Sequence, residues 1–251
     1  MNPFDLSGRW AIVTGANTGI GQAIAIGLAR AGADIVGVGR SAMTETAADV
    51  TSAGRAFLSI TADLSQADAG RSVIEQGLAA GATPDILVNN AGIIRRADAL
   101  AFTEEDWDAV LDTNLKSVFF LCQAFAKAAI AAERKAKIIN IASLLSFQGG
   151  IRVPSYTAAK SGVAGLTKLM ANEWAARGIN VNAIAPGYVE TNNTVALRAD
   201  AERSADILKR IPAGRWATPD DMAGAAVFLA ATASDYVHGT ILPVDGGWLA
   251  R

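Results

Sequence analysis

Short apolar runs of strand length alternate along the chain with longer segments whose apolar residues recur at helical spacing. The first run, Trp10-Ala-Ile-Val-Thr14, leads into a glycine-bearing stretch, and Ile20, Ala23, Ile24, Gly27, Leu28 and Ala31 then line one helical stripe. Comparable strands are predicted over 34–39, 56–61, 85–89, 137–142, 179–185 and 239–244. These runs lack the alternation of a half-exposed sheet, and the helical segments between them have the length that parallel neighbours need as crossovers. The pattern predicts an α/β fold, a single-domain Rossmann-type doubly wound parallel sheet of about seven strands with helices on both faces. A chain of 251 residues suits one such domain, residues 1–251, and no fixed-period repeat or linker divides it. The least regular stretch, 186–219, follows the sixth strand and is predicted to form a substrate lid beyond the carboxyl ends of the strands.

Composition narrows the function. Apolar residues make up 51% and charged residues 18%, enough for a large core. The net charge of -2 lacks the footprint of a phosphate-binding surface, so nucleic acid is not an expected partner. The short basic runs Arg95-Arg96 and Arg134-Lys135-Ala136-Lys137 read as solvated faces or single-ligand contacts. The longest uncharged run, 222–234, falls short of the roughly 18 residues that span a bilayer, and no basic-then-apolar leader opens the sequence; the expectation is a soluble, cytoplasmic protein with no membrane partner. Cys122 is the single cysteine, in an apolar run with no cation beside it, which predicts an inert thiol. His238 is the single histidine, which argues against a His-rich metal centre, and no G-x-S-x-G elbow supports a hydrolase. No metal is expected.

The candidate chemistry lies where predicted strands end. Thr14-Gly15-Ala16-Asn17-Thr18-Gly19-Ile20-Gly21 stands between a strand and a helix, where glycines permit a tight turn and close backbone approach to a pyrophosphate. The helix N-terminus then offers unpaired N–H groups to the anion. At the end of the second strand, where a carboxylate would hold a ribose 2′-hydroxyl, stand Gly39 and Arg40; a guanidinium there favours the 2′-phosphate of NADP(H). Thr18, before the middle glycine, supplies no second cation, so NAD(H) stays as the alternative. Ser143 follows the fifth strand, and Tyr156 and Lys160 share one helix face. An ammonium about 4 Å from a phenolate, at an effective dielectric of about 20, stabilises it by about 4 kcal/mol, or roughly three pKa units. That predicts Tyr156 as a general acid/base with Ser143 holding the reacting oxygen.

The glycine spacing, Asn89-Asn90-Ala91-Gly92, Asn114, Ser143, Tyr156-x-x-x-Lys160 and Pro186-Gly187 follow one another across essentially the whole chain in an order that resembles the short-chain dehydrogenase/reductase family. The resemblance implies an NAD(P)-dependent oxidoreductase that interconverts a ketone and a secondary alcohol, assembled as a homotetramer. It implies cofactor contacts from Gly15, Asn17, Thr18, Gly19, Ile20, Gly21 and Arg40, with Asp63 and Leu64 at the adenine and Asn90, Ala91 and Gly92 at the ribose and pyrophosphate. Pro186, Gly187, Val189 and Thr191 would border the nicotinamide, beside Tyr156 and Lys160, and Asn114 would anchor a water linking Lys160 to solvent.

Within the family, the loops Asn89–Arg96, Ser146–Tyr156, Gly187–Thr194 and Arg210–Trp216, together with the terminal residues Asp245–Arg251, resemble those of dehydrogenases acting on sugar acids. Arg152 is the candidate two-point donor to a substrate carboxylate, a surface ion pair being the alternative, and Gln148, Asn193 and Arg203 are candidates for the sugar hydroxyls. A family member acting on an acyl-carrier-protein thioester would share the same catalytic set, and a cofactor-sensing protein without activity would share the fold.

Overall fold

The computed structural model describes residues 2–251. Among them seven strands form one parallel sheet: β1 (Trp10–Thr14), β2 (Asp34–Gly39), β3 (Phe57–Thr61), β4 (Pro84–Asn89), β5 (Ala136–Ile141), β6 (Ile179–Pro186) and β7 (Ile241–Val244). Their spatial order is β3-β2-β1-β4-β5-β6-β7, so the winding direction reverses between β1 and β4. That reversal opens a crevice at the carboxyl ends of the strands, where α/β sheets bind ligands.

The connecting helices are α1 (Gly19–Arg30), α2 (Thr44–Ser52), α3 (Ala69–Ala79), α4 (Glu104–Leu111), α5 (Ser117–Ala131), α6 (Pro154–Trp174), α7 (Val195–Ala199), α8 (Ala201–Arg210) and α9 (Ala223–Ala230). Consecutive strand residues feed opposite cores. Ile12, Leu87 and Ile138 pack with Leu121, Phe125 and Met170 of α5 and α6, whereas Val13, Val88 and Ile139 pack with Ile24, Leu28 and Leu229 of α1 and α9. Both faces are thus dry, which is why the strand segments read as continuous apolar runs. Each fully buried Ile, Leu or Val contributes about 1.5–3 kcal/mol relative to exposure. The glycine at 27 lets α1 approach α9, since a Cβ there would lie 2.7 Å from the Ala223 Cβ.

Two segments depart from the sequence reading. The seventh strand starts at Ile241, two residues late, because Gly239 takes a left-handed turn (φ +70°) and its N–H bonds to the Val181 carbonyl. The stretch 186–219 is largely helical, not irregular: it holds a short turn at Asn192–Thr194, then α7 and α8. In α8 only Ile207 is buried, so too few apolar positions repeat for a helical period to show. The helix starts at a polar cap, Asp200 accepting from the Arg203 N–H at 3.0 Å. It packs on a small core of Leu144, Ile207, Ile211, Trp216 and Trp248, apart from the two sheet-facing cores. Among the described residues no helix is long and apolar enough to cross a membrane.

Candidate active site

The glycine turn after β1 opens a cleft of about 520 Å³. Gly15 and Gly19 have positive φ (+66° and +58°), and a Cβ on Gly21 would overlap the Gly15 carbonyl oxygen. Gly21 therefore seats α1 on the turn and does not line the cleft, whereas Gly15, Asn17, Thr18, Gly19 and Ile20 do. Thr18 precedes α1 in extended conformation without capping its first turn, which holds no acidic residue. Free N–H groups and absent negative charge are what a diphosphate requires.

The rest of the cleft is fixed by side-chain bonds between strand ends. Thr14 Oγ1 accepts from the N–H groups of Asn90 and Ala91 at 2.9 and 3.0 Å, and Asn90 Nδ2 donates to the Thr14 carbonyl at 2.9 Å. Asn90, Ala91 and Gly92 form one wall, and Asp63, Leu64 and Thr191 also border the cleft. Asp63 accepts from the N–H and hydroxyl of Ser65, bonds that hold its carboxyl below the usual range, with Arg40 adding to the effect. Arg40 lies exposed at the mouth without an ion pair among the described residues, beside Ser41, whose hydroxyl accepts from Asn17 Nδ2. Val38, Ile93 and Arg95 line the cleft as well, none of them named as a cofactor contact from the sequence. A dinucleotide fits this donor set: backbone N–H groups for its phosphates and an unpaired cation at its far end.

A second cavity of about 670 Å³ adjoins it, with Asn193 lining both. Ser143 and Tyr156 share its wall with Pro186 and Gly187. Ser143, at the end of β5, is held by the Leu145 N–H at 3.2 Å. Lys160 is buried behind Tyr156, its Nζ 5.6 Å from the ring centre and donating a hydrogen bond to the Ile141 carbonyl at 2.6 Å. Val189 is buried, bridged to Ala217, and like Lys160 faces neither cavity. Asn114 is fully buried in a π-turn, Asp112–Lys116, and spends its side chain on Ile93: Oδ1 accepts from the Ile93 N–H at 2.9 Å and Nδ2 donates to its carbonyl at 2.8 Å.

Two expectations need correction. The first concerns the phenol: burial raises Tyr156 above its ordinary value, and the Ser143 hydroxyl and the Arg96 guanidinium pull it back. The Lys160 ammonium is bound to a carbonyl, and burial lowers its own pKa to about 8. The simple charge-pair estimate neglected the desolvation of both groups. The second concerns Arg152. Its guanidinium lies 3.4 Å from Asp98 and is exposed, and Arg152 is absent from the cavity wall that its neighbours Ile151 and Val153 line. The surface ion pair given as the alternative is formed. The cavity's cations are instead Arg96, Arg203 and Arg210.

Arg96 donates to the Asn193 carbonyl at 2.9 Å, joining the loop after β4 to the segment before α7. Arg210 stacks on Trp248, its guanidinium carbon 4.0 Å from the ring centre, and the Trp248 indole donates to Gln148 Oε1 at 3.2 Å. Arg96, Arg210, Trp248 and Tyr188 went unrecognised as wall residues. The doublet Arg95-Arg96 was visible, but its two members diverge: Arg95 pairs with Asp106 and Arg96 lines the cavity. Cys122 is buried, its thiol pushed up to about 12 by desolvation.

A family model described as enoyl-(acyl carrier protein) reductase matches residues 15–249. The chain is 61% identical over 251 residues, 100% of its length and 99% of the relative's, to 2-dehydro-3-deoxy-D-gluconate 5-dehydrogenase of Escherichia coli (strain K12). It is 57% identical over 249 residues, 99% and 97% of the two chains, to the enzyme of the same name from Bacillus subtilis (strain 168). Its fold superposes with a TM-score of 0.95, at 63% identity and full coverage of both chains, on a crystal structure from Agrobacterium tumefaciens provisionally assigned as a 2-deoxy-d-gluconate 3-dehydrogenase, with bound NADP.

Proposed function

The chain belongs to the short-chain dehydrogenase/reductase family, and from that premise we propose that it is a 2-dehydro-3-deoxy-D-gluconate 5-dehydrogenase working with NADP(H). It would reduce the C5 ketone of 3-deoxy-D-glycero-2,5-hexodiulosonate to the alcohol, or run the reverse oxidation. The observation that carries this reading is the cavity in which Ser143 and Tyr156 stand on one wall and Arg96, Arg203 and Arg210 supply the cations that a small polyhydroxy carboxylate requires. Arg40 at the mouth of the adjoining cleft, with no acid at the end of β2, supports the 2′-phosphorylated cofactor.

A nicotinamide cofactor held by the cleft of Gly15, Asn17, Thr18, Gly19 and Asn90 would supply the hydride. Tyr156 gives its hydroxyl proton to the carbonyl oxygen, and Ser143 donates a hydrogen bond to that same oxygen as charge develops on it. Lys160, buried behind the ring, opposes the phenolate charge and returns a proton to it. Because the Asn114 side chain is spent on Ile93, a water relay from Lys160 would rest on the backbone of the π-turn. Arg96 holds the substrate carboxylate, with Gln148, Asn193 and Arg203 for the remaining oxygens. The working assembly is a homotetramer, which light scattering of the purified protein tests.

The decisive assay follows nicotinamide absorbance with NADPH and NADH against a 2,5-diketo sugar acid, 5-ketogluconate and an acyl thioester. Turnover led by the 2,5-diketo acid is the expected result, and a thioester preference would overturn the substrate assignment. No turnover at all with an intact fold would leave a cofactor-sensing protein.

A further inference from the structure

Three non-glycine residues among those described have a left-handed backbone: Asp68, Glu133 and Arg152. Asp68 stands before α3 and Glu133 after α5, but Arg152 (φ +64°) lies two residues before α6, the helix of Tyr156 and Lys160. A side chain with a Cβ adopts this region only where its surroundings hold it there.

Two contacts hold Arg152. The Ala97 N–H donates to its carbonyl at 3.2 Å, and the Asp98 carboxylate lies 3.4 Å from its Nε. The ion pair is exposed on both sides and weak alone. Together with the backbone bond, however, it clasps the loop after β4 to the loop after β5.

The clasp transmits directly into α6. Val153 is buried and its backbone is restricted by the proline that follows. Its carbonyl accepts from both the N–H and the hydroxyl of Thr157, at 3.0 and 2.9 Å, which ties it to the first turn. On the other side Gly150 leaves the space that Val153 occupies, since a Cβ there would stand 2.9 Å from Val153 Cγ2. Pro154 takes the first helical position and Tyr156 the third. A change of backbone at Arg152 therefore swings the turn that carries the phenol relative to Ser143, which is fixed from β5.

We propose that Arg152 is a positioning residue: clasped by Ala97 and Asp98, its left-handed turn sets the start of α6 and so aims the Tyr156 hydroxyl at the reacting oxygen. This inference rests on the reading of Tyr156 as the acid/base. The glycine variant separates backbone from side chain, because glycine accepts the left-handed region freely and alanine does not.

Steady-state kinetics with NADPH and the 2,5-diketo sugar acid test it on folded variants whose cofactor binding is verified by fluorescence. Arg152→Ala is expected to lower kcat by about ten- to a hundredfold, the scale of a misplaced reacting group. Arg152→Gly and Arg152→Asn should recover to within about threefold of the parent, and KM should move by less than about threefold in all. The pH profile of kcat should shift for the alanine variant and return to the parental one for glycine. A rise in KM equal for alanine and glycine would make Arg152 a substrate ligand and overturn the proposal, as would an alanine variant with parental kcat. Should Arg152→Ala not fold, Asp98→Ala carries the test, with a drop in kcat at unchanged KM expected and parental kcat overturning it. Tyr156→Phe run in parallel distinguishes the failures: if it keeps turnover, the acid/base reading falls; if it loses turnover while Arg152→Ala does not, only the clasp falls.

Discussion

The cleft at the glycine turn and the cavity beside Ser143 and Tyr156 share Ile94 and Asn193 and little else in construction. The cleft is backbone work: glycines that admit no Cβ, strand ends tied by Thr14 and Asn90, and N–H groups at the start of α1. The cavity is side-chain work, with Arg96 from the loop after β4, Arg203 and Arg210 from α8, and Trp248 from the last turn of the chain. A backbone site tolerates few sequences and leaves a recognisable trace, whereas residues converging from separate loops can each be replaced by others of similar reach. Under the proposed function the first region sets the class of chemistry and the second chooses what it acts on.

The sharpest way to break this division is Tyr156→Phe, at the wall of the second region. It should lower kcat by at least about a thousandfold while NADPH binding, read by fluorescence titration, stays within about threefold of the parent. Retained turnover would remove the residue from the chemistry. Arg96→Ala comes next: KM for the sugar acid should rise by about ten- to a hundredfold, as expected for a charge-assisted bond to a carboxylate, with cofactor KM unchanged. If cofactor KM rose equally, the two regions would not be separable at this loop. Arg40→Ala probes the opposite side, and the ratio of kcat/KM for NADPH over NADH should fall by about tenfold or more with the sugar-acid KM unmoved. An unchanged ratio would mean that Arg40 does not read the 2′-phosphate.

The smallest effect expected is on stability. Lys160 carries a pKa of about 8 in the folded chain against an ordinary 10.5, so the unfolded chain binds more protons between these values. Folding stability tied to this group therefore rises from about pH 8 to 10.5, and below pH 8 the fold carries the full cost of a buried ammonium. Lys160→Met should abolish turnover yet stabilise the protein at pH 7 by up to about 3 kcal/mol, an advantage that shrinks as pH rises through that window. Denaturant melts of both proteins at pH 7 and 10 check the sign, and a stability gap that widens with pH would refute it.

How far the sequence could be read follows the same divide. Strands buried on both faces, such as β5 with Ile138 and Ile139 feeding opposite cores, announce themselves as apolar runs, and the seven predicted strands match the seven observed apart from their ends. The helix α8 did not announce itself, because it rests on Ile207 alone. Among candidate site residues, the glycine turn and the Tyr156 and Lys160 pair are local in sequence and were legible as a unit. The placing of Arg152 was not legible because it depends on a left-handed turn and on Asp98, 54 positions away by residue number, and Arg96 was not told apart because nothing local distinguishes it from Arg95.

The sequence by itself determined the layered α/β fold, the glycine turn before α1 and the closeness of Tyr156 and Lys160, since periodicity, glycine spacing and helix-face pairing are properties of short stretches of chain. Only the tertiary structure decided which arginines line the cavity beside Ser143 and Tyr156, what holds Asn114 and Lys160, and what Arg152 touches. Those outcomes depend on desolvation and on contacts between loops far apart in sequence, and both exist only once the chain has closed around them.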